Sequence, residues 1–246
     1  MSIGKAPYII AISGKGGVGK TTIASLVVRC LIQSGIRPVL AVDADPNANL
    51  HEALGVEVVE TLGSMREEAF AKAIPAGMSR TEYVKYRFRQ VLVENEGFDL
   101  IAMGRPEGQG CYCFANDLLT EAMQSLQVEY KAIIIDNEAG MEHMARGTIG
   151  IPDILMVVTD TGSRGIRTAE RIEKIGVEIG VPEDRIIRII NRVPRVYNKP
   201  NGVYGTIPFD PEVEEADIKG NPVSIVPLNS LAASSVCKLV KKIFSQ

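Results

Sequence analysis

A glycine-rich run, Gly14-Lys15-Gly16-Gly17-Val18-Gly19-Lys20-Thr21-Thr22, lies between an apolar stretch, Tyr8 to Ile12, and an apolar helical pattern. Glycines at this spacing let backbone N–H groups approach phosphate oxygens, and the N-terminus of the following helix adds positive potential. Lys20 supplies a mobile cation and Thr21 a hydroxyl ligand for magnesium. The run predicts a cradle for nucleotide phosphates in which all of Gly14, Lys15, Gly16, Gly17, Val18, Gly19, Lys20, Thr21 and Thr22 take part. An incidental glycine turn would not require the strand before it and the helix after it.

Three carboxylates belong to the same chemistry. Asp43 and Asp45 follow the apolar run Pro38 to Val42, and Asp136 ends the apolar strand Ala132 to Asp136, a Walker B signature. The carboxyl ends of strands are where open α/β sheets carry their ligands. Helix capping or turn chemistry is the other use of the first two.

Cys111-Tyr112-Cys113 offers two thiolates to one soft or borderline ion such as nickel, zinc or copper(I). Two ligands do not close a site, but a twofold dimer brings two such pairs together on its axis. If Cys113 lies near the start of the following helix, its thiolate is favoured. An inert pair and a redox pair are the alternatives. Cys30 and Cys237 fall in helical patterns and are expected as buried core thiols. Four cysteines are too few for a disulfide framework.

The elements that must position these residues alternate β and α. Strands are predicted at Tyr8–Ile12, Pro38–Val42, Phe98–Met103, Ala132–Asp136, Ile154–Thr159, Arg185–Asn191 and Val203–Ile207. Helices are predicted at Lys20–Ser34, Asn116–Gln127, Gly165–Ile179 and Ser230–Phe244. The pattern is that of an α/β fold with a doubly wound, mostly parallel sheet. Residues 52–96 read as a largely helical insertion in a single domain spanning 1–246. The last helix carries Lys238, Lys241 and Lys242 outside an apolar stripe, which suits a helix covering the sheet better than a membrane anchor.

The chain has 246 residues, 46% hydrophobic, with 27 basic and 30 acidic side chains and a net charge of −3. That balance exerts no global pull toward nucleic acid or anionic membrane. Tyr83, Tyr86 and Phe88 among Lys85, Arg87 and Arg89 read as a solvated helix with an aromatic core stripe rather than a nucleic-acid contact. Met1 to Pro7 is short and polar, and no run of about 18 apolar residues occurs, so a cytoplasmic protein is expected.

Lys15, an extra cation in the second position of the motif, makes Lys15-Gly16-Gly17-Val18-Gly19-Lys20-Thr21-Thr22 resemble the deviant Walker A motif of the MinD, ParA and nitrogenase-iron-protein class. The resemblance implies a SIMIBI-type P-loop ATPase whose Lys15 reaches a partner subunit's phosphates and acts like an arginine finger. It also implies that Asp45 orients the attacking water, that Asp43 sits near magnesium, and that Asp136 holds magnesium through water. Asn191 matches the adenine-contacting Asn of the class, with Pro208 and Phe209 lining the base. The only Asn-Lys run, Asn198-Lys199-Pro200-Asn201, lacks the carboxylate of guanine readers, so ATP is expected.

Arg105 to Cys113, together with Asp136-Asn137-Glu138-Ala139-Gly140-Met141-Glu142-His143, resembles the CooC and AcsF family of nickel-insertion ATPases over nearly the whole chain. That resemblance implies nickel or zinc on the Cys111 and Cys113 of both subunits of a nucleotide- and metal-dependent homodimer. It implies a client, carbon monoxide dehydrogenase or acetyl-CoA synthase; the acidic charge balance argues against a nucleic-acid or membrane partner. His143 is expected as a polar switch-loop residue rather than a ligand, and His51 as a surface residue. The alternatives are an iron–sulfur electron-transfer ATPase and a positioning ATPase, the latter drawing on Arg185, Arg188, Arg192 and Arg195 as a basic patch.

Overall fold

The computed structural model describes residues 7–45, 47–71, 74–104, 124, 126–137 and 150–245. In chain order these form β1 (Tyr8–Gly14), α1 (Lys20–Gln33), β2 (Val39–Asp43), α2 (Leu50–Leu54), α3 (Leu62–Ala71), α4 (Arg80–Gln90), β3 (Val93–Asn95), β4 (Phe98–Ala102), β5 (Ala132–Asp136), β6 (Ile154–Thr159), α5 (Ser163–Glu178), β7 (Ile186–Val193), β8 (Gly205–Pro208), α6 (Pro211–Ile218) and α7 (Leu231–Ile243). The strands make one eight-stranded sheet ordered β3-β4-β2-β5-β1-β6-β7-β8. Only the β3–β4 pair is antiparallel.

The strands are apolar along their length because both faces are covered. Ile10, Ile12, Val39, Ala41 and Ile134 pack on one face with residues of α1 and α7. Their alternates Ile9, Ala11, Leu40, Val42, Ile133 and Ile135 pack on the other with residues of α3, α4 and α5. The period of two along each strand thus separates two cores. Central β1 lies between β5 and β6, with Ile12 opposite Asp136 and Gly14 opposite Val158.

The stretch expected as a helical insertion contains α2, α3 and α4, and then β3, which the sequence reading counted as helical. The reason is a tight return at Gly97, whose φ of 87° is open to glycine and which lets Val93–Asn95 fold back on β4. In α4, Tyr83, Val84 and Phe88 are buried, while Arg87 is held by Glu60 at 2.5 Å and Glu68 at 2.8 Å. Ser79 and Glu82 close its N-terminus with a capping box. The basic patch that the positioning alternative draws on is dispersed: Arg188 makes a two-pronged ion pair with Glu173, at 2.7 and 2.5 Å, and Arg192 turns to the glycine loop.

Two expectations are corrected. Cys30 and Cys237 are not separate core thiols but a disulfide, because α7 lies along α1 and brings their Cα atoms to 5.2 Å across 207 positions of sequence. His51 is half-buried rather than superficial, with Nδ1 buried. No helix among the described residues is long and apolar enough to cross a membrane. The predicted helix 116–127 is described only at Gln124, Leu126 and Gln127, all helical. Cys111, Cys113 and His143 lie outside the described residues.

Candidate functional site

The site is built where β1, β2 and β5 end. β1 runs through Ser13 into Gly14, a position where a Cβ would collide with the carbonyl oxygen of Val158 on β6, so only glycine lets the strands meet there. The loop Lys15–Gly19 follows, with Lys15, Gly16 and Gly17 exposed and Val18 buried as its anchor. Gly19 is the N-cap of α1 with φ 89°, and a Cβ on it would stand 2.6 Å from Asn191 Nδ2. The structure thus requires glycine for its left-handed turn and for the close approach of β7.

Two side chains from the end of β7 hold the loop from behind. Asn191 donates from Nδ2 to the Val18 carbonyl at 2.8 Å, and Arg192 from Nη1 to the Gly17 carbonyl at 3.4 Å. Arg192 has φ 55°, unusual for a non-glycine residue, at a point where the β7–β8 register shifts. Lys20, 9% exposed, is folded back with Nζ 3.4 Å from the Lys15 carbonyl.

Behind the loop, Asp43 and Asp136 face each other in register on β2 and β5. Asp43 accepts from the backbone N–H of Leu50 at 2.7 Å and of Asp45 at 3.2 Å, yet burial raises its pKa to about 6. Asp136 is pushed up to about 7 by burial first, with a hydrogen bond from the Thr21 hydroxyl and the charge of Lys20 opposing. Its Oδ1 is buried without a hydrogen-bond partner. An unpaired buried carboxylate oxygen beside a second buried carboxylate and a threonine hydroxyl is a donor set suited to a hard divalent cation such as magnesium. Asp45 is less buried, and its Oδ1 accepts from the N–H and Nδ2 of Asn47 at 2.8 and 3.0 Å.

A cavity of about 580 Å³ opens beside the loop, lined among others by Thr22, Asn191, Arg192, Pro208 and Phe209. Its size and its mix of one half-exposed aromatic with polar groups suit a nucleoside. The structure therefore brings together on one edge Gly14 to Thr22, Asp43, Asp45, Asp136, Asn191, Pro208 and Phe209. A residue not singled out from the sequence is Asp210, 5% exposed, whose two oxygens accept from Glu212 N at 3.0 Å and Ala232 N at 2.7 Å. One carboxylate thereby caps α6 and holds the start of α7. The signal for the first half was present, since Asp210-Pro211 is an N-cap followed by proline at the first helical position. The Arg192 contact and the acidic rim of the cavity, Glu52, Glu214 and Asp217, had no local signal.

A glycine loop joining a central parallel strand to a helix, with a buried strand-end carboxylate beside it, defines a P-loop nucleotide-binding protein. Residues 9–223 match the CobQ/CobB/MinD/ParA nucleotide binding domain, and the chain belongs to that family. It is 39% identical to an uncharacterized ATP-binding protein of Methanocaldococcus jannaschii over 97% of this chain and 99% of that one. It is 33% identical to the carbon monoxide dehydrogenase accessory protein CooC of Rhodospirillum rubrum, covering 86% of this chain and 87% of CooC. Among solved structures, MinD of Pyrococcus horikoshii complexed with Mg-ADP superposes with a TM-score of 0.69 at 25% identity over 96% of both chains. The fold is that of the MinD/ParA-type P-loop ATPases.

Proposed function

We propose that this chain is an ATP- and magnesium-dependent homodimeric metallochaperone that carries nickel on Cys111 and Cys113 and delivers it to carbon monoxide dehydrogenase or acetyl-CoA synthase. The observation that supports this reading is the similarity to CooC over 86% of a chain that also holds Cys-x-Cys. Nickel, or zinc in its place, is the cargo rather than a resident cofactor.

In this reading the loop amides and Lys20 bind the β- and γ-phosphates, and the base occupies the cavity between Asn191, Pro208 and Phe209. Thr21 and Asp136 hold magnesium, with Asp43 beside them, and bound magnesium supplies charge neutralisation across the phosphate oxygens. Asp45 orients the attacking water. Lys15, exposed in the single chain, reaches across to the partner's phosphates, so hydrolysis requires two protomers. The same twofold axis gathers four thiolates, and metal affinity follows nucleotide state.

The test is a metal titration with and without ATP, read by native mass spectrometry for stoichiometry and oligomeric state. About one nickel or zinc per dimer is expected, lost in Cys111→Ser. Unchanged stoichiometry in that variant would sink the metallochaperone reading while leaving nucleotide binding intact. A coloured protein after anaerobic iron–sulfur reconstitution would point instead to an electron-transfer ATPase.

A further inference from the structure

Cys30, in the last turn of α1, and Cys237, midway along α7, are joined covalently, the first buried and the second half-buried. The pair takes no part in the phosphate chemistry, yet both helices help to build the nucleoside cavity. Thr22 and Leu26 of α1 and Ala232 of α7 line it, and Cys30 stands one helical turn beyond Leu26. Pro208 and Phe209, also in the lining, are tied to α7 through the next residue, Asp210, which accepts from Ala232 N at 2.7 Å. The bond therefore fixes the spacing between the α1 side of the cavity and the side that α7 holds.

The opened bond is also provided for. Cys30 Sγ lies 3.9 Å from the Ala233 carbonyl oxygen, so a thiol formed there has an acceptor and is not left as an unpaired buried donor. Ala24, Val27 and Leu31 of α1 share one buried cluster with Ala233, Val236 and Val240 of α7. Apolar packing thus keeps the helices docked without the bond, and reduction releases their spacing rather than the fold.

We propose that Cys30 and Cys237 are a thiol–disulfide exchange site that sets nucleotide affinity. Bonded, the pair preorganises the cavity for the nucleoside; reduced, it leaves the cavity looser and binding weaker. The inference rests on the placement of the base in this cavity proposed above. The exchange partner is a dithiol. Its thiolate attacks the sulfur of Cys237, the half-buried member, and the Cys30 sulfur leaves and takes up a proton. The partner's second thiol then displaces Cys237, so two electrons and two protons pass from the partner, which ends as a disulfide. Lys241, exposed one turn on from Cys237, favours the thiolate released there. Because binding and exchange draw on one equilibrium, nucleotide favours the bonded form by the same factor by which the bond favours nucleotide.

The experiment titrates the full chain with a fluorescent ADP analogue and magnesium, before and after dithiothreitol, with the state of the pair read by mass spectrometry of alkylated peptides. Reduction should weaken binding by at least about fivefold, and Cys30→Ser with Cys237→Ser should bind like the reduced parent and ignore dithiothreitol. A second measurement needs no variant: in mixtures of oxidised and reduced dithiothreitol, saturating ADP should shift the bonded-to-reduced ratio of the parent by the same factor. Equal affinity in the two redox states overturns the inference while leaving nucleotide binding in place. So does a response to dithiothreitol that survives in the double-serine variant, a ratio that ADP leaves unmoved, or free thiols at both positions in the air-oxidised parent. Absence of binding in either state overturns the placement of the nucleotide, and this inference with it.

Discussion

Asp43 and Asp136 stand opposite each other at the carboxyl ends of adjacent parallel strands, both at most 1% exposed; the backbone N–H groups of Leu50 and Asp45 oppose the neutralisation of Asp43, and the Thr21 hydroxyl and Lys20 that of Asp136. Two carboxylates desolvated this close together resist ionising, so their pKa values of about 6 and about 7 lie above the ordinary 3.8. Below about pH 4 both are protonated in the folded and the unfolded chain, and the stability of the neutral pair is fully present. As pH rises toward 7, the unfolded chain releases these protons before the folded one does, and stability is lost. In chelator and without nucleotide, Asp136→Asn should therefore be more stable than the parent at pH 7.5, by on the order of 3 kcal/mol, and nearly equal at pH 4. Urea denaturation at the two pH values checks this, and a larger pH dependence in the variant would count against it.

Gly19→Ala should lose nucleotide affinity by about a hundredfold or more, since the added methyl meets Asn191 Nδ2 at 2.6 Å in a left-handed backbone. Titration with a fluorescent ATP analogue gives the number. Gly16→Ala, where a Cβ has open space and φ is not left-handed, should be much milder, and equal losses at both positions would refute the geometric account.

Asp210→Ala removes acceptors from two helix N-termini at once and should cost roughly 2–4 kcal/mol of stability. Asp210→Asn keeps one carbonyl acceptor and should lie between. Chemical denaturation of the three proteins orders them, and an alanine variant as stable as the parent would be the contrary result.

The Cys30–Cys237 bond closes a loop of 207 positions. Replacing both residues by serine should lower stability in non-reducing buffer by roughly 2–5 kcal/mol. The difference should shrink once the parent is reduced. A thiol titration of the denatured parent, with and without reductant, shows directly whether this pair is bonded.

Lys15→Ala should leave nucleotide affinity of the single chain close to the parent's while lowering hydrolysis by about 10³-fold or more, because the lysine is exposed in the single chain and in the proposed function acts on a partner. Steady-state hydrolysis across protein concentration, alongside nucleotide titration, separates the two effects. Unimpaired hydrolysis would contradict the role in trans.

Much of the fold was legible because buried parallel strands are near-continuous apolar runs, and β1, β2, β5 and β6 are such runs to within a residue or two. β3 was not, since Val93-Glu94-Asn95 has no apolar periodicity and is fixed by its hairpin partner. The glycine loop and its three aspartates were legible because phosphate chemistry restricts residue type and spacing together. The disulfide was not, because pairing depends on where α7 lands on α1, a tertiary fact. The hold of Arg192 on the glycine loop was not legible for the same reason: it comes from a backbone turn at the end of β7 that sequence patterns do not encode.

The hold of Asn191 and Arg192 on the Val18 and Gly17 carbonyls spans 173 and 175 positions of chain. A peptide excised from Gly14 to Thr22 would keep every consensus letter and lose the anchors that orient two of its peptide planes. The motif is therefore not a portable module. Grafting it onto another strand–helix junction would have to carry the last residues of β7 along with it, and insertions between the two segments are tolerable only where they leave that distant grip undisturbed.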